Sequence, residues 1–149
     1  MDRRGWYVIS ALFLVIILVC FFYRTPTTAS FAGVSLRLEY ALTEVARERG
    51  LSGHAVLEPD QAMLFVFSES QPYGFWMKDM TFPIDILWLS DTGQVVSIVK
   101  DASPASYPHV FYPSAPARYV LETVAGFADE HGVGTSSRLS LKSFPTVLK

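Results

Sequence analysis

The sequence predicts a mainly β domain, a compact sandwich or barrel with one or two short helices, behind a single N-terminal transmembrane helix. Three observations predict it. Short segments alternate apolar and polar residues with the two-residue period of a strand. Gly, Pro and Asp-Thr-Gly punctuate the chain between them. One run, Trp6 to Tyr23, carries no charge over about 18 residues.

As a helix that run would extend roughly 27 Å, close to the hydrocarbon thickness of a bilayer. Arg3 and Arg4 precede it, so the positive-inside rule places Met1 in the cytoplasm and the remainder outside. A cleaved signal peptide is the other reading, because Thr27-Thr28-Ala29 and Ser30-Phe31-Ala32 resemble small-residue cleavage sites. Residues 1–24 are therefore an anchor or signal on the cytoplasmic membrane, 25–33 a short stalk, and 34–149 the β domain. If the segment is cut, the domain is secreted. The single cysteine, Cys20, lies in the apolar run, so the outer domain forms no internal disulfide.

Leu36, Leu38, Tyr40 and Leu42 alternate with Arg37 and Glu39 and predict a half-buried strand. Thr43 is a suitable N-cap for a brief helix through Glu48, stopped by Gly50. Met63 to Phe67 is wholly apolar and rich in strand formers, the pattern of a central strand. Tyr73 to Lys78 reads as the next strand, and Ile84 to Ser90 follows the Pro83 turn. Asp91-Thr92-Gly93 and Gln94 to Lys100 complete a hairpin. Asp101 to Ala117 holds four prolines and predicts a long loop, a feature that is often functional. Arg118 to Glu122 is a strand, a short helix falls near Ala125 to His131, and Arg138 to Leu141 is the last strand.

Mean hydropathy is +0.29 and formal charge −2. Removing Arg3, Arg4 and Arg24 from 12 basic residues leaves 9, and removing Asp2 from 14 acidic residues leaves 13. The outer domain is thus about −4 without a basic stripe, which argues against nucleic acid and anionic headgroups as partners. No HExxH pair, P-loop, G-x-S-x-G or G-x-G-x-x-G is present, so no metal or cofactor is expected.

In Ile84 to Ser90, Asp85 shares a face with Leu87 and Leu89. A carboxylate on an apolar face needs a partner, a shifted pKa or a function. Pairing of the Phe75–Lys78 and Ile84–Ser90 strands would let Lys78 face Asp85 or Glu122. Asp79 adds an acid beside Lys78. Trp76 and Tyr107, with Tyr73, Phe75, Phe111 and Tyr112, supply rings that could wall a groove under the long loop. The candidate site is therefore Trp76, Lys78, Asp79, Asp85, Tyr107 and Glu122. The other readings are a buried ion pair or a turn-capping carboxylate at Asp85, and ordinary packing of the rings.

Several blocks occur in order: ARERGLSGH, AMLFVF, FWMKDMTFPIDILWL, DTGQVVSI and APARYVLETVAG. Together they resemble the family called domain of unknown function 192, over roughly Leu36 to Leu141. The resemblance implies a compact, mostly β, jelly-roll-like domain, often secreted or membrane-tethered, with no established activity. The chain departs from the usual pattern at Ala62, Asp79 and the glycine-poor FYPSAP stretch. The leading expectation is a membrane-anchored extracytoplasmic binding or accessory domain for an envelope glycan, peptide or protein. One alternative is an envelope hydrolase using Asp85 and Glu122 as paired carboxylates. Another is a structural packing partner of a membrane complex.

Overall fold

The computed structural model describes residues 27–145 and 147. The anchor or signal expected over 1–24 lies outside them; among the described residues no helix is long and apolar enough to cross a membrane. Strand β1 (Thr27–Phe31) is followed by β2 (Val34–Ala41), helix α1 (Glu44–Arg49), β3 (Gln61–Gln71), β4 (Phe75–Trp76), β5 (Ile84–Leu89) and β6 (Val95–Ala102). A 3-10 turn (Pro104–Ser106), β7 (Val110–Phe111), β8 (Ala117–Val124) and helix α2 (Phe127–Glu130) complete it. Six strands form one mixed sheet in the order β1-β2-β3-β8-β5-β6, and β4 pairs with β7 in a separate ribbon. The domain is mainly β with two short helices, as the patterning predicts.

Every residue of β5 is buried, because both faces of the sheet are covered. Leu64, Leu87, Leu89 and Leu121 pack on one face with Phe127 and Ala128 of α2. Met63, Phe65, Ile86, Trp88 and Val120 pack on the other with Phe75 and Met77. Helix α1 starts as the sequence predicts: the Thr43 hydroxyl accepts the Ala46 N–H, and Gly50 ends it with a φ of 51°. The Ser90–Gln94 turn closes the β5–β6 hairpin, where Gly93 (φ 80°) is required because a Cβ would lie 2.9 Å from the Leu139 carbonyl.

Four expectations are corrected. The proposed stalk over 25–33 is in large part strand, since Thr27–Phe31 pairs with Val34–Leu38 and buries Ala29 and Phe31. Small polar residues there sit on the exposed face of an edge strand. The strand expected over Tyr73 to Lys78 shrinks to Phe75–Trp76 and pairs with β7 instead of β5, because β5 already has β6 and β8 on its two sides. The loop of 101–117 accordingly contains β7. Residues Arg138 to Leu141 form two isolated bridges rather than a strand: Ser140 bonds Ser30 of β1, and Arg138 pairs with Gln94 beside β6. The two outer strands of the sheet are thus joined by the same short segment, which buries Leu139 between them.

Asp85 shows how the sheet, a bulge and α2 are fixed together. Between the pairs Ile84↔Ala102 and Ile86↔Val99, β6 carries one residue more than β5, which makes a β-bulge. Asp101 sits in that bulge with a φ of 49°, and its N–H donates to Asp85 Oδ1 at 2.9 Å. The same oxygen accepts the Gly126 N–H at 3.2 Å, and Oδ2 accepts the Ala128 N–H at 2.8 Å. Helix α2 has no local side-chain cap; Asp85 supplies it from 43 residues away. The predicted Lys78–Asp85 pair is therefore not formed, and the turn-capping reading gives way to a tertiary cap. Removing this acceptor leaves three N–H donors without their partner. Asp85→Ala is expected to lower unfolding free energy by at least about 3 kcal/mol in urea titrations. A loss below about 1 kcal/mol would show that water replaces the carboxylate freely.

Candidate functional site: a cavity floored by a buried glutamate

On the sheet face opposite Asp85, a cavity of about 430 Å³ opens between α1, the end of β3 and the Tyr73–Trp76 segment. Its position follows from what each element buries. Helix α1 has no buried residue and only one apolar side chain besides alanine, Val45, which is exposed. It therefore offers the sheet little apolar surface, with Ala46 packed at the edge of the core. The helix is held by Arg47, whose Nη1 donates to the carbonyls of Leu42 (2.8 Å) and Val66 (3.0 Å) while the guanidinium lies 5.2 Å over the Phe67 ring.

The opposite wall is tied to the core. The Nε1 of fully buried Trp88 donates to the Tyr73 carbonyl at 2.8 Å. Phe75 then meets Phe65 and Trp88 edge to face, with centroids 4.8 and 5.9 Å away, and Tyr73 stacks on Phe67. Gly74 lets β4 pass under the loop: a Cβ there would come within 2.7 Å of Tyr112 and Val110 side chains. Half-exposed Trp76 contacts the Tyr107 ring edge to face at 6.2 Å.

Glu122 lines this cavity from β8, the strand between β3 and β5. Its neighbours in register are Met63 and Ile86, so the carboxyl rises from an apolar sheet face. Oε2 is buried without a hydrogen-bond partner. Burial alone pushes the Glu122 carboxyl up to about 8 from its ordinary value of 4.5, since no nearby cation offsets the loss of water. At neutral pH the group is mostly a neutral acid.

The sequence-derived set divides. Glu122 and Trp76 line the cavity, and Tyr107 backs Trp76. Lys78 and Asp79 stand in an exposed turn, with Asp79 at a φ of 56°; the Lys78 carbonyl accepts the hydroxyl of Ser52, a cavity residue. Asp85 lies across the sheet. It pairs in register with Thr123 while Glu122 pairs with Ile86, so the two carboxylates project from opposite faces. That overturns the paired-carboxylate hydrolase, which needs both groups in one cleft. Tyr73 and Phe75 join the lining as expected. Sequence reading missed Arg47, Phe65, Phe67 and Met80. The available signal was α1 itself, whose polar sequence gives it nothing to bury. Among the described residues no three His, Cys, Asp or Glu side chains cluster to hold a metal.

The chain belongs to the DUF192 family (Uncharacterized ACR), whose model matches residues 27–141. A solved protein of Sinorhizobium meliloti 1021, proposed to be a transcription regulator, is similar over 78% of this chain and 94% of its own, with 30% identity and a TM-score of 0.73. A protein of unknown function from Novosphingobium aromaticivorans DSM 12444 shares the fold at 24% identity and a TM-score of 0.71, over 78% and 84% of the two chains. No match is found among curated proteins.

A raised carboxyl pKa makes stability fall with pH. The native state holds its proton up to about pH 8, whereas the unfolded chain releases it near 4.5. The stabilisation is complete below 4.5 and is lost as pH rises through 8, at roughly 1.4 kcal/mol per unit. Glu122→Gln should remove this slope from urea midpoints measured between pH 5 and 8.5, leaving the variant more stable at pH 8.5. Parallel profiles for both proteins would place Glu122 in water.

Proposed function

We propose that this domain is an extracytoplasmic binding module, held at the membrane by its N-terminal segment, whose ligand enters the Glu122 cavity. The observation that carries the reading is a buried carboxyl, its Oε2 without a hydrogen-bond partner, lining a cavity of about 430 Å³. Unpaired buried polar atoms are rare in folded proteins and concentrate at functional sites. Binding is favoured over catalysis because the lining contains no histidine or cysteine, and its other carboxylates, Glu44 and Glu48, are exposed on α1.

Chain direction supports the membrane-proximal placement. Thr27 pairs with Leu38, near the end of β2 that leads into α1, and β3 runs parallel to β2. A membrane segment before Thr27 would therefore hold the rim of the cavity towards the lipid surface, where Leu42, Val45 and Trp76 are exposed. The proposed regulatory role of the Sinorhizobium protein does not carry over as DNA binding, since the outer domain has four more acids than bases.

The test is a thermal-shift screen of envelope glycan fragments, short peptides and small metabolites on the full-length chain in detergent. A ligand of this site raises the Tm of the wild type by several degrees and loses most of that effect in Glu122→Gln and Trp76→Ala. Compounds that stabilise all three proteins equally bind elsewhere, and a library yielding only such compounds would overturn the assignment.

A further inference from the structure

We propose that the Glu122 cavity takes an organic ammonium: a primary amine on a short apolar stem, free or at the end of a lysine side chain. The inference rests on the binding reading above and names its ligand class.

The argument is an inventory of what the cavity can offer. Four donors around it are already engaged. Arg47 Nη1 serves two carbonyls, and the Tyr73 hydroxyl donates to the Glu69 carbonyl at 3.0 Å. The Ser52 hydroxyl donates to the Lys78 carbonyl, and the Trp88 indole to that of Tyr73. The Glu122 carboxyl, in contrast, has a buried oxygen without a hydrogen-bond partner. Five rings make up much of the remaining lining, with Phe65, Phe67, Tyr73 and Phe75 grouped by stacked and edge contacts and Trp76 half-exposed, beside Leu51, Ser68 and Met80. Rings present electron density on their faces, and a carboxylate presents charge. Both favour a ligand that brings hydrogen-bond donors and positive charge.

A neutral acceptor could use the protonated acid, but it would gain nothing from the ring faces and would leave the second oxygen open. An ammonium head gains from both, and its charge replaces the solvation that burial removed from Glu122. The volume suits a stem of several methylenes against the rings. Glu44 and Glu48 on α1 balance Arg47 and Arg49 at the rim, so entry of a cation meets no net like charge.

No covalent step is involved; one proton moves. The free carboxyl is largely protonated at pH 7, so ammonium binding to the carboxylate expels that proton to solvent. Affinity should therefore rise with pH about tenfold per unit from 6 to 8, and level off above.

The experiment is isothermal titration of the full-length chain with n-butylammonium, 1-butanol and Nα-acetyl-lysine methylamide, repeated from pH 6 to 9. At pH 7 it is run in two buffers of different ionisation enthalpy, which counts protons. The expected result is n-butylammonium binding at least about tenfold more tightly than 1-butanol, with about one proton released and the stated pH slope. In Glu122→Gln the preference and the slope should both disappear. The source follows from the tighter of the two amines: a peptide lysine if the acetylated derivative wins, a free amine if it loses. Equal or tighter binding of 1-butanol, weakening above pH 8, would overturn the ammonium and leave the cavity standing as a site. Absence of binding by either amine up to tens of millimolar would also overturn it. The broader binding reading would then stand or fall on the library screen alone.

Discussion

The Asp85 carboxylate is the constraint on which the rest of the domain depends. It accepts one N–H from the bulge in β6 and two from the start of α2. Those segments are far apart in sequence, and each is poorly stable alone. A bulge leaves its extra residue without a ladder partner. A four-residue helix cannot offset its nucleation cost in water. Gathering three otherwise orphaned donors onto one side chain gives both segments a fixed geometry. It also docks Phe127 and Ala128 against the sheet face that carries Leu87 and Leu121. An apolar residue at this position could fill the space but could not take the donors.

Glu122 is the contrasting case. It stands on the adjacent strand, one register position away and on the other face. Asp85 meets three backbone donors there; the Glu122 Oε2 meets none. Coulombic help is also missing: burial alone sets the shift, and Arg47, which lines the same cavity, is occupied by carbonyls and the Phe67 ring. Two buried acids within one sheet thus follow opposite physical courses. One is compensated on all sides and holds the fold together. The other is uncompensated, keeps its proton to an unusually high pH, and lines a cavity.

Much of this architecture was legible in the chain. The period-two alternation of Ile84 to Leu89 gave both faces of β5 correctly, and Thr43 and Gly50 bracketed α1 as their chemistry requires. The pairing partners were not legible, because alternation says which side a residue faces and not which strand lies beside it. Placing Phe75–Trp76 beside β5 instead of β7 is what created the expected pairing of Lys78 with Asp85 or Glu122. The stalk was misread for a related reason: Thr27, Thr28 and Ser30 look like linker residues, yet an edge strand tolerates them on its open side. Glu122 and Trp76 were recognised as candidates, but Arg47, Phe67 and the cavity between them depend on how α1 is seated beside the sheet. Only tertiary structure shows that.

The cavity runs against stability. Met63, Val120 and Ile86 surround position 122, and a leucine there would bury apolar surface without desolvating an acid, a change that often stabilises a protein. Moving α1 inward would close the space and gain the dispersion contacts that an empty volume forfeits. The chain does neither. Its helix has no buried residue, Arg47 fixes it by binding backbone, and Gly74 lets the loop approach so that the aromatic wall stays in place. Three independent local features each keep the volume open around one unpaired acid. A cost retained through separate devices supports the proposal that the cavity is a binding site, because relaxing any one of them would have been the simpler course.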